Sequence, residues 1–306
     1  MRSLISPLAV LTLATTLPCS AALLVYEGFN GYATANLGGT MPNDNTIGLV
    51  KTVAYAGNTP EGYVFAAGLN FAGLASSGQS VTYTNSGTNV ASAELLLTST
   101  VAVGGTLYNS YLVNTGTKSA SSGNGMELRI GENAASSGTR YRSFSDSRAS
   151  TTNMGLLYSG TSNTSIPDSG VGLTAGTTFL IINTFANVNV PLAAGPPEVA
   201  GIGRSYALTE AQFAAMRAYP GGPQAFLDDA ATNNSMVFAY ATSTANTGNN
   251  GFDSGDFLQM VKVGSGGTMD ELRYGDTLDS VIPVPEPASA FLALLGLGAV
   301  AVRRRR

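Results

Sequence analysis

Short β-rich runs separated by turn clusters recur along this chain, and no other feature constrains its fold as strongly. The early runs are Leu23 to Tyr26, Gly48 to Tyr55, Tyr63 to Ala67, Ser80 to Thr84, Glu94 to Thr98, Leu107 to Val113 and Met126 to Ile130. The later ones are Thr178 to Phe185, Met236 to Thr242, Phe257 to Val263 and Met269 to Tyr274. Between them, Asn85-Ser86-Gly87, Ser121-Ser122-Gly123-Asn124-Gly125 and Asn249-Asn250-Gly251 supply residues that tolerate the left-handed backbone of tight turns. About a dozen short strands so connected predict an all-β fold, a two-sheet jelly-roll sandwich. No internal repeat or composition break divides the body, so one sandwich is expected over residues 22–282.

One segment leaves the strand pattern. Thr209-Glu210-Ala211-Gln212 is a capping box ahead of Phe213, Met216 and Arg217, and Pro220-Gly221-Gly222 ends the run, predicting a helix over residues 210–219. A second helical turn is expected from Pro223 to Ala230. Phe213, Met216, Phe226 and Leu227 would pack this insertion on the sandwich, either as a patch over a sheet edge or as a lid over a binding face.

Both ends read as addresses. Arg2, the apolar stretch from Leu4 to Leu17 and the small residues Cys19 to Ala22 have the order of a secretory signal peptide, assigned here to residues 1–21. Cleavage after Ala21 or Ala22 leaves a body without cysteine. A lipid anchor on Cys19 fits poorly, because Pro18 stands where a small residue is expected. At the other end, Val284-Pro285-Glu286-Pro287 precedes an apolar segment, Ala288 to Val302, closed by Arg303, Arg304, Arg305 and Arg306. As a transmembrane helix, 288–302 would span roughly 22 Å, less than the ~30 Å hydrocarbon core, and so suits temporary anchoring. The arginines favour the cytoplasmic side, which puts the body across the membrane.

Residues 283–306, with Pro285, Glu286 and Pro287 followed by the short apolar helix and the arginine cluster, resemble the PEP-CTERM sorting signal of bacterial exosortase substrates. The resemblance implies an exported protein of the cell envelope or extracellular matrix. It would be held briefly in the inner membrane by its C-terminal helix and cut by an exosortase-type sorting protease.

Composition narrows the chemistry. His and Trp are absent and Cys occurs once, so His triads, Cys nucleophiles and Cys/His zinc sites are unavailable to the body. Residues 22–285 hold ten basic against eighteen acidic side chains, a net of −8, which argues against nucleic acid as a partner. Arg129, Arg140, Arg142 and Arg148, with Tyr141 and Phe144 between them, are the one basic concentration there; solvated strand charge and anionic polysaccharide binding are its two readings. No Gly-x-Ser-x-Gly elbow occurs, and no spacing recommends Lys51, Lys118 or Lys262 as a base for serine. Oxygen ligands suit calcium. They concentrate in Asn43-Asp44-Asn45 and in residues 249–256, where Asp253 and Asp256 are the leading metal candidates and turn formation is the competing role. Asp270 and Glu271, as strand neighbours, are expected on opposite faces and hence unable to flank one glycosidic bond. Asp270 and Arg273 would instead tie the closing strand to a loop.

A second resemblance covers the body through three short passages: Leu24-Val25-Tyr26-Glu27-Gly28-Phe29-Asn30, Phe71-Ala72-Gly73-Leu74-Ala75-Ser76-Ser77-Gly78, and Met269-Asp270-Glu271-Leu272-Arg273-Tyr274-Gly275 with Val281-Ile282-Pro283. Together they look like concanavalin A-like or laminin-G-like jelly-roll domains. The chain departs from that pattern in lacking Trp, in placing Leu278 where one is common, and in its helical insertion. The resemblance implies that the first and last strands share the sandwich and that the protein is carbohydrate-associated, with extracellular polysaccharide as partner; the residues themselves are read as non-catalytic. The competing readings are a carbohydrate-active hydrolase or lyase on the same sandwich, and a purely structural matrix component. Alanine at Pro285, Glu286 and Pro287 together is expected to leave the tail uncleaved, which the intact mass of the exported protein would read.

Overall fold

The computed structural model describes residues 22–33, 36–56, 62–74, 78–83, 92–115, 124–131, 139–146, 154–158, 169–189, 201–244, 252–264 and 267–282. Residues 1–21, where a signal peptide is expected, and residues 283–306, with Pro285, Glu286, Pro287, the expected helix over 288–302 and Arg303 to Arg306, lie outside these residues. Among the described residues no helix is long and apolar enough to cross a membrane.

Thirteen described strands run in chain order as β1 (Leu23–Glu27), β2 (Tyr63–Ala67), β3 (Gln79–Tyr83), β4 (Ser92–Leu96), β5 (Leu107–Asn114), β6 (Asn124–Gly131), β7 (Thr139–Asp146), β8 (Gly155–Tyr158), β9 (Thr178–Phe185), β10 (Ile202–Leu208), β11 (Ala239–Thr244), β12 (Phe257–Gly264) and β13 (Thr268–Gly275). Helices α1 (Glu210–Arg217) and α2 (Gly222–Ala230) stand between β10 and β11, and α3 (Leu278–Val281) follows β13. An eight-stranded sheet has the order β11-β10-β9-β5-β13-β3-β2, with β1 also on β13; a five-stranded sheet has the order β4-β12-β6-β7-β8. All the pairings are antiparallel, as expected of a jelly-roll sandwich.

Strand alternation explains the layering. In β9, Phe179 and Ile181 join the core between the sheets, while Leu180 and Ile182 join a second apolar cluster on the other side. A strand buried on both faces reads as a continuous apolar run. The second cluster holds Phe213 and Met216 of α1, Phe226 and Leu227 of α2, and Val281 of α3, so the helices form a third layer. The insertion therefore covers the outer face of the eight-stranded sheet, over β9 and β10, rather than a sheet edge. The capping box forms as its sequence predicts: Gln212 N donates to Thr209 Oγ1 at 3.4 Å and Thr209 N to Gln212 Oε1 at 3.0 Å.

The expected strand from Gly48 to Tyr55 does not form. Ile47 bridges to Tyr26 in the eight-stranded sheet, whereas Leu49 bridges to Leu97 beside the five-stranded one, so this stretch crosses between sheets. Gly48 makes the crossing at φ 71°, and a Cβ there would lie 1.9 Å from Leu24 O. Only glycine can pass so close to β1.

As the second resemblance implies, the first and last strands pair, from Leu23 opposite Gly275 to Glu27 opposite Leu272. β13 shares one edge between two partners, β3 at Thr268 and Met269 and β1 further on. Its opposite edge pairs with β5 along its length, interrupted by a bulge between Asp270 and Arg273. Because Phe213 is fully buried between α1 and the sheet, Phe213→Ala is expected to destabilise the protein by about 3–5 kcal/mol in chemical denaturation.

Candidate functional site

The outer face of the five-stranded sheet carries a layer of polar side chains. Core residues Ala93, Leu95, Met126, Leu128, Ile130, Leu258 and Met260 alternate with Ser92, Glu94, Glu127, Arg129 and Gln259. Register aligns Glu94 of β4, Gln259 of β12 and Arg129 of β6 in one row across three strands, with Ser92 and Glu127 in the next row, flanking Val261. Arg129 Nε and Nη2 donate to Glu127 Oε1 and Oε2 at 2.7 and 3.0 Å, a bidentate ion pair. Gln259 Nε2 donates to Glu94 Oε1 at 3.4 Å, as does Ser92 Oγ. Burial pushes the Glu94 carboxyl up, a shift that the Ser92 hydroxyl partly offsets, and burial lowers Arg129 to about 10, still a cation at neutral pH. The arginine concentration therefore divides: Arg129 belongs to this layer, Arg142 lies opposite it on β7, Arg140 is on β7, and Arg148 lies outside the described residues.

The closing strand corrects one expectation. The bulge puts Glu271 at φ 52° and inserts a residue between the core positions Met269 and Leu272, so Asp270 and Glu271 are not separated across the sheet. Glu271 Oε2 accepts from Arg273 Nη2 and, at 3.2 Å, from Tyr26 OH; the Arg273 guanidinium lies 4.8 Å from the centroid of the Tyr26 ring. Asp270 does tie the strand to a loop, accepting from Leu69 N at 2.8 Å, and its other oxygen accepts from Glu271 N at 2.8 Å. Burial pushes its carboxyl up to about 8, against the lowering effect of the Leu69 amide. Further inside, Glu27 Oε2 accepts from Tyr55 OH and, at 2.7 Å, from Tyr32 OH, and Oε1 accepts from Phe29 N at 2.6 Å. Burial raises this carboxyl too, and the tyrosine bonds offset part of the rise. These buried acids are structural ties.

Asp253 and Asp256 sit in the turn before β12. Asp256 Oδ2 accepts from Asp253 N at 2.8 Å, and Asp253 Oδ1 faces Asn189 Nδ2 at 3.5 Å. Asn189, in turn, accepts from Phe252 N at 2.8 Å. Asn43 Oδ1 accepts from Asn45 N at 2.9 Å and Asp44 pairs with Lys51 at 3.5 Å, so the other oxygen-rich loop is likewise engaged in turn contacts. Among the described residues no group of three or more His, Cys, Asp or Glu side chains converges.

On the helix-covered side of the eight-stranded sheet, a cavity of about 340 Å³ opens between the start of α2 and the link from β13 to α3. Tyr108, Pro223 and Leu278 give it apolar wall, and Gln224, Asp276, Thr277 and Asp279 give it polar groups. Tyr108 projects from β5 opposite Gly275, and its hydroxyl donates to Gln224 Oε1 at 3.2 Å. Gln224 Nε2 donates onward to Asp228 Oδ1 at 3.1 Å. Burial and then the Asp228 charge push the Tyr108 phenol up, so it remains a neutral donor. Thr277 Oγ1 caps α3 by accepting from Ser280 N at 3.3 Å. A Cβ on Gly275 would stand 1.9 Å from Ser280 Oγ, so glycine lets α3 fold back and close this wall. A ring, a carboxamide and two carboxylates around a concavity of this size can hold a small polyhydroxylated molecule. Tyr108, Gln224, Asp276 and Asp279 did not stand out in the sequence, because Tyr108 and Asp276 meet only through the β5–β13 pairing.

Residues 283–306 match the PEP-CTERM protein-sorting motif. No curated protein matches the chain significantly. Among solved structures, lectin II from Ulex europaeus aligns at TM-score 0.35 and 9% identity, over 71% of this chain and 93% of that one. Domain 4 of AbnA, a GH43 extracellular arabinanase from Geobacillus stearothermophilus in complex with arabinotriose, aligns at 0.39 and 12%, over 87% and 99%. The endo-β-1,4-glucuronan lyase of Trichoderma reesei aligns at 0.37 and 10%, over 83% and 99%.

The Asp270 geometry has a pH consequence. An acid titrating near 3.8 when unfolded but near 8 when folded makes stability fall as pH rises between those values. The slope from this group is at most about 1.4 kcal/mol per pH unit. Asp270→Asn is expected to flatten the dependence between about pH 4 and pH 8 in denaturant titrations; an unchanged slope would refute the assignment.

Proposed function

We propose that this chain is an exported protein of the cell envelope or extracellular matrix, sorted by an exosortase, whose sandwich binds polysaccharide at the Tyr108 cavity without cleaving it. The sorting half is supported by the motif over residues 283–306, which links the protein to export and to a membrane-embedded protease. The binding half is carried by the cavity itself. A sugar ring presents an apolar C–H face and a rim of hydroxyls. Tyr108 and Pro223 suit the first, while Gln224, Asp276 and Asp279 suit the second.

The arrangement of carboxylates supports binding over hydrolysis. Cleavage of a glycosidic bond uses a buried acid that keeps its proton and a second carboxylate free to act as base or nucleophile. Asp276 and Asp279 both stand in water. On the five-stranded sheet, Glu127 is held bidentately by Arg129 and is not free to act as base. One observation favours the competing enzyme reading: Glu94, with its raised carboxyl, shares that face with Glu127. Calcium enters the proposal through Asp253 and Asp256, as a variable of the test.

A glycan array run with and without calcium, scoring binding and cleavage together, separates the readings. The expected outcome is binding without turnover, and Tyr108→Ala should weaken it at least tenfold, about 1.4 kcal/mol. Turnover that Glu94→Gln abolishes would establish the enzyme instead. Binding lost on calcium removal and in Asp256→Asn would assign the metal; calcium-independent binding would leave that loop its turn role.

A further inference from the structure

We propose that export processing cuts the chain between Ala21 and Ala22, and that the α-ammonium released there is clamped by the Asp276 carboxylate, fastening the first strand to the last. The inference rests on the export reading above. The leader alone leaves two cleavage positions open, because Cys19 and Ala21, or Ser20 and Ala22, place small residues at the two positions that matter.

The fold separates them. Leu23 pairs with Gly275 at the end of β13. One residue further out, Ala22 N donates to Asp276 Oδ1 at 2.8 Å and Asp276 N donates to Ala22 O at 3.2 Å. Gly275 makes room for this contact, since a Cβ there would lie 3.0 Å from Ala22 O. Both main-chain groups of Ala22 are therefore in use, and a cut between Ala22 and Leu23 would discard both bonds. In the cut at Ala21–Ala22, water adds across the peptide bond: the C–N bond breaks, the hydroxyl joins the Ala21 carbonyl to leave a carboxylate, and the Ala22 nitrogen is released as an amine, protonated at neutral pH. The nitrogen that already donates to the Asp276 carboxylate then does so with a positive charge, which turns an amide–carboxylate hydrogen bond into an ion pair. Because Asp276 also lines the Tyr108 cavity, the same event offsets one of that wall's two negative charges.

Expression of the full chain in an exporting two-membrane bacterium, followed by N-terminal sequencing and intact mass, is the first test. Ala22 as first residue is the expected result. Leu23 or a later residue would overturn the clamp while leaving export intact; a retained leader would overturn the export reading with it. The second test acylates the mature α-amine at pH 7. The wild-type protein and Asp279→Asn should react about threefold or more slowly than Asp276→Asn, because the carboxylate holds the amine protonated. Asp276→Ser serves as a second charge-removing variant. Equal rates in all four proteins would overturn the clamp.

Discussion

The bulge at Asp270 and Glu271 is the constraint on which much of this sandwich turns. β13 is the last described strand in sequence, yet it lies inside the eight-stranded sheet, pairing with β5 on one edge and with β3 and then β1 on the other. Handing over from β3 to β1 along one edge requires a local change of pleat, and the extra residue provides it. Glu271 pays for this with a left-handed backbone that side-chain-bearing residues disfavour. Arg273 and Tyr26 hold its carboxylate, and the Asp270 side chain accepts its amide, so the unusual conformation is fixed from three sides. Downstream, Leu272 and Tyr274 return to the core, and Gly275 ends the strand where α3 folds back.

A polar seam inside the sandwich reinforces this arrangement. Tyr111 OH and Ser143 Oγ are 2.9 Å apart, Ser143 donates to Asn183 Oδ1 at 3.2 Å, and Asn183 donates to Asn109 Oδ1 at 2.7 Å. Asn109 then donates to the Arg273 carbonyl at 2.9 Å, next to the bulge. Ser143 belongs to β7 of the five-stranded sheet and the others to the eight-stranded one, so the seam joins the two layers. Apolar burial is non-directional, whereas a chain of buried hydrogen bonds is satisfied only over a narrow range of offsets between the sheets. The outer helices act differently: they bury the second apolar face of β9 and β10, and α2 and α3 form walls of the cavity beside Tyr108.

Much of this was legible residue by residue. Alternation in Glu94-Leu95, Glu127-Leu128-Arg129 and Gln259-Met260 shows that polar groups occupy one face of each strand. It could not show that the three strands are neighbours in register, which depends on β12 returning between β4 and β6. The capping box at Thr209 is a local interaction over three residues and was readable for that reason. The failed strand at Gly48 to Tyr55 has the right composition, but its hydrogen bonds are divided between two sheets, a fact no local pattern encodes. The rule that puts neighbours such as Asp270 and Glu271 on opposite faces holds only where the pleat is unbroken.

By itself, then, the amino-acid order determined the β class, the helical insertion with its cap, the C-terminal sorting motif and the exclusion of histidine chemistry. Each of these depends on residue type or on spacing within a few positions. The tertiary structure alone decided which strands meet, where the bulge falls, that the helices cover a face rather than an edge, and that Tyr108, Gln224 and Asp276 surround one cavity. Those outcomes depend on pairings between residues distant in sequence, as far apart as Leu23 and Gly275, whose register is set by packing the whole sandwich at once.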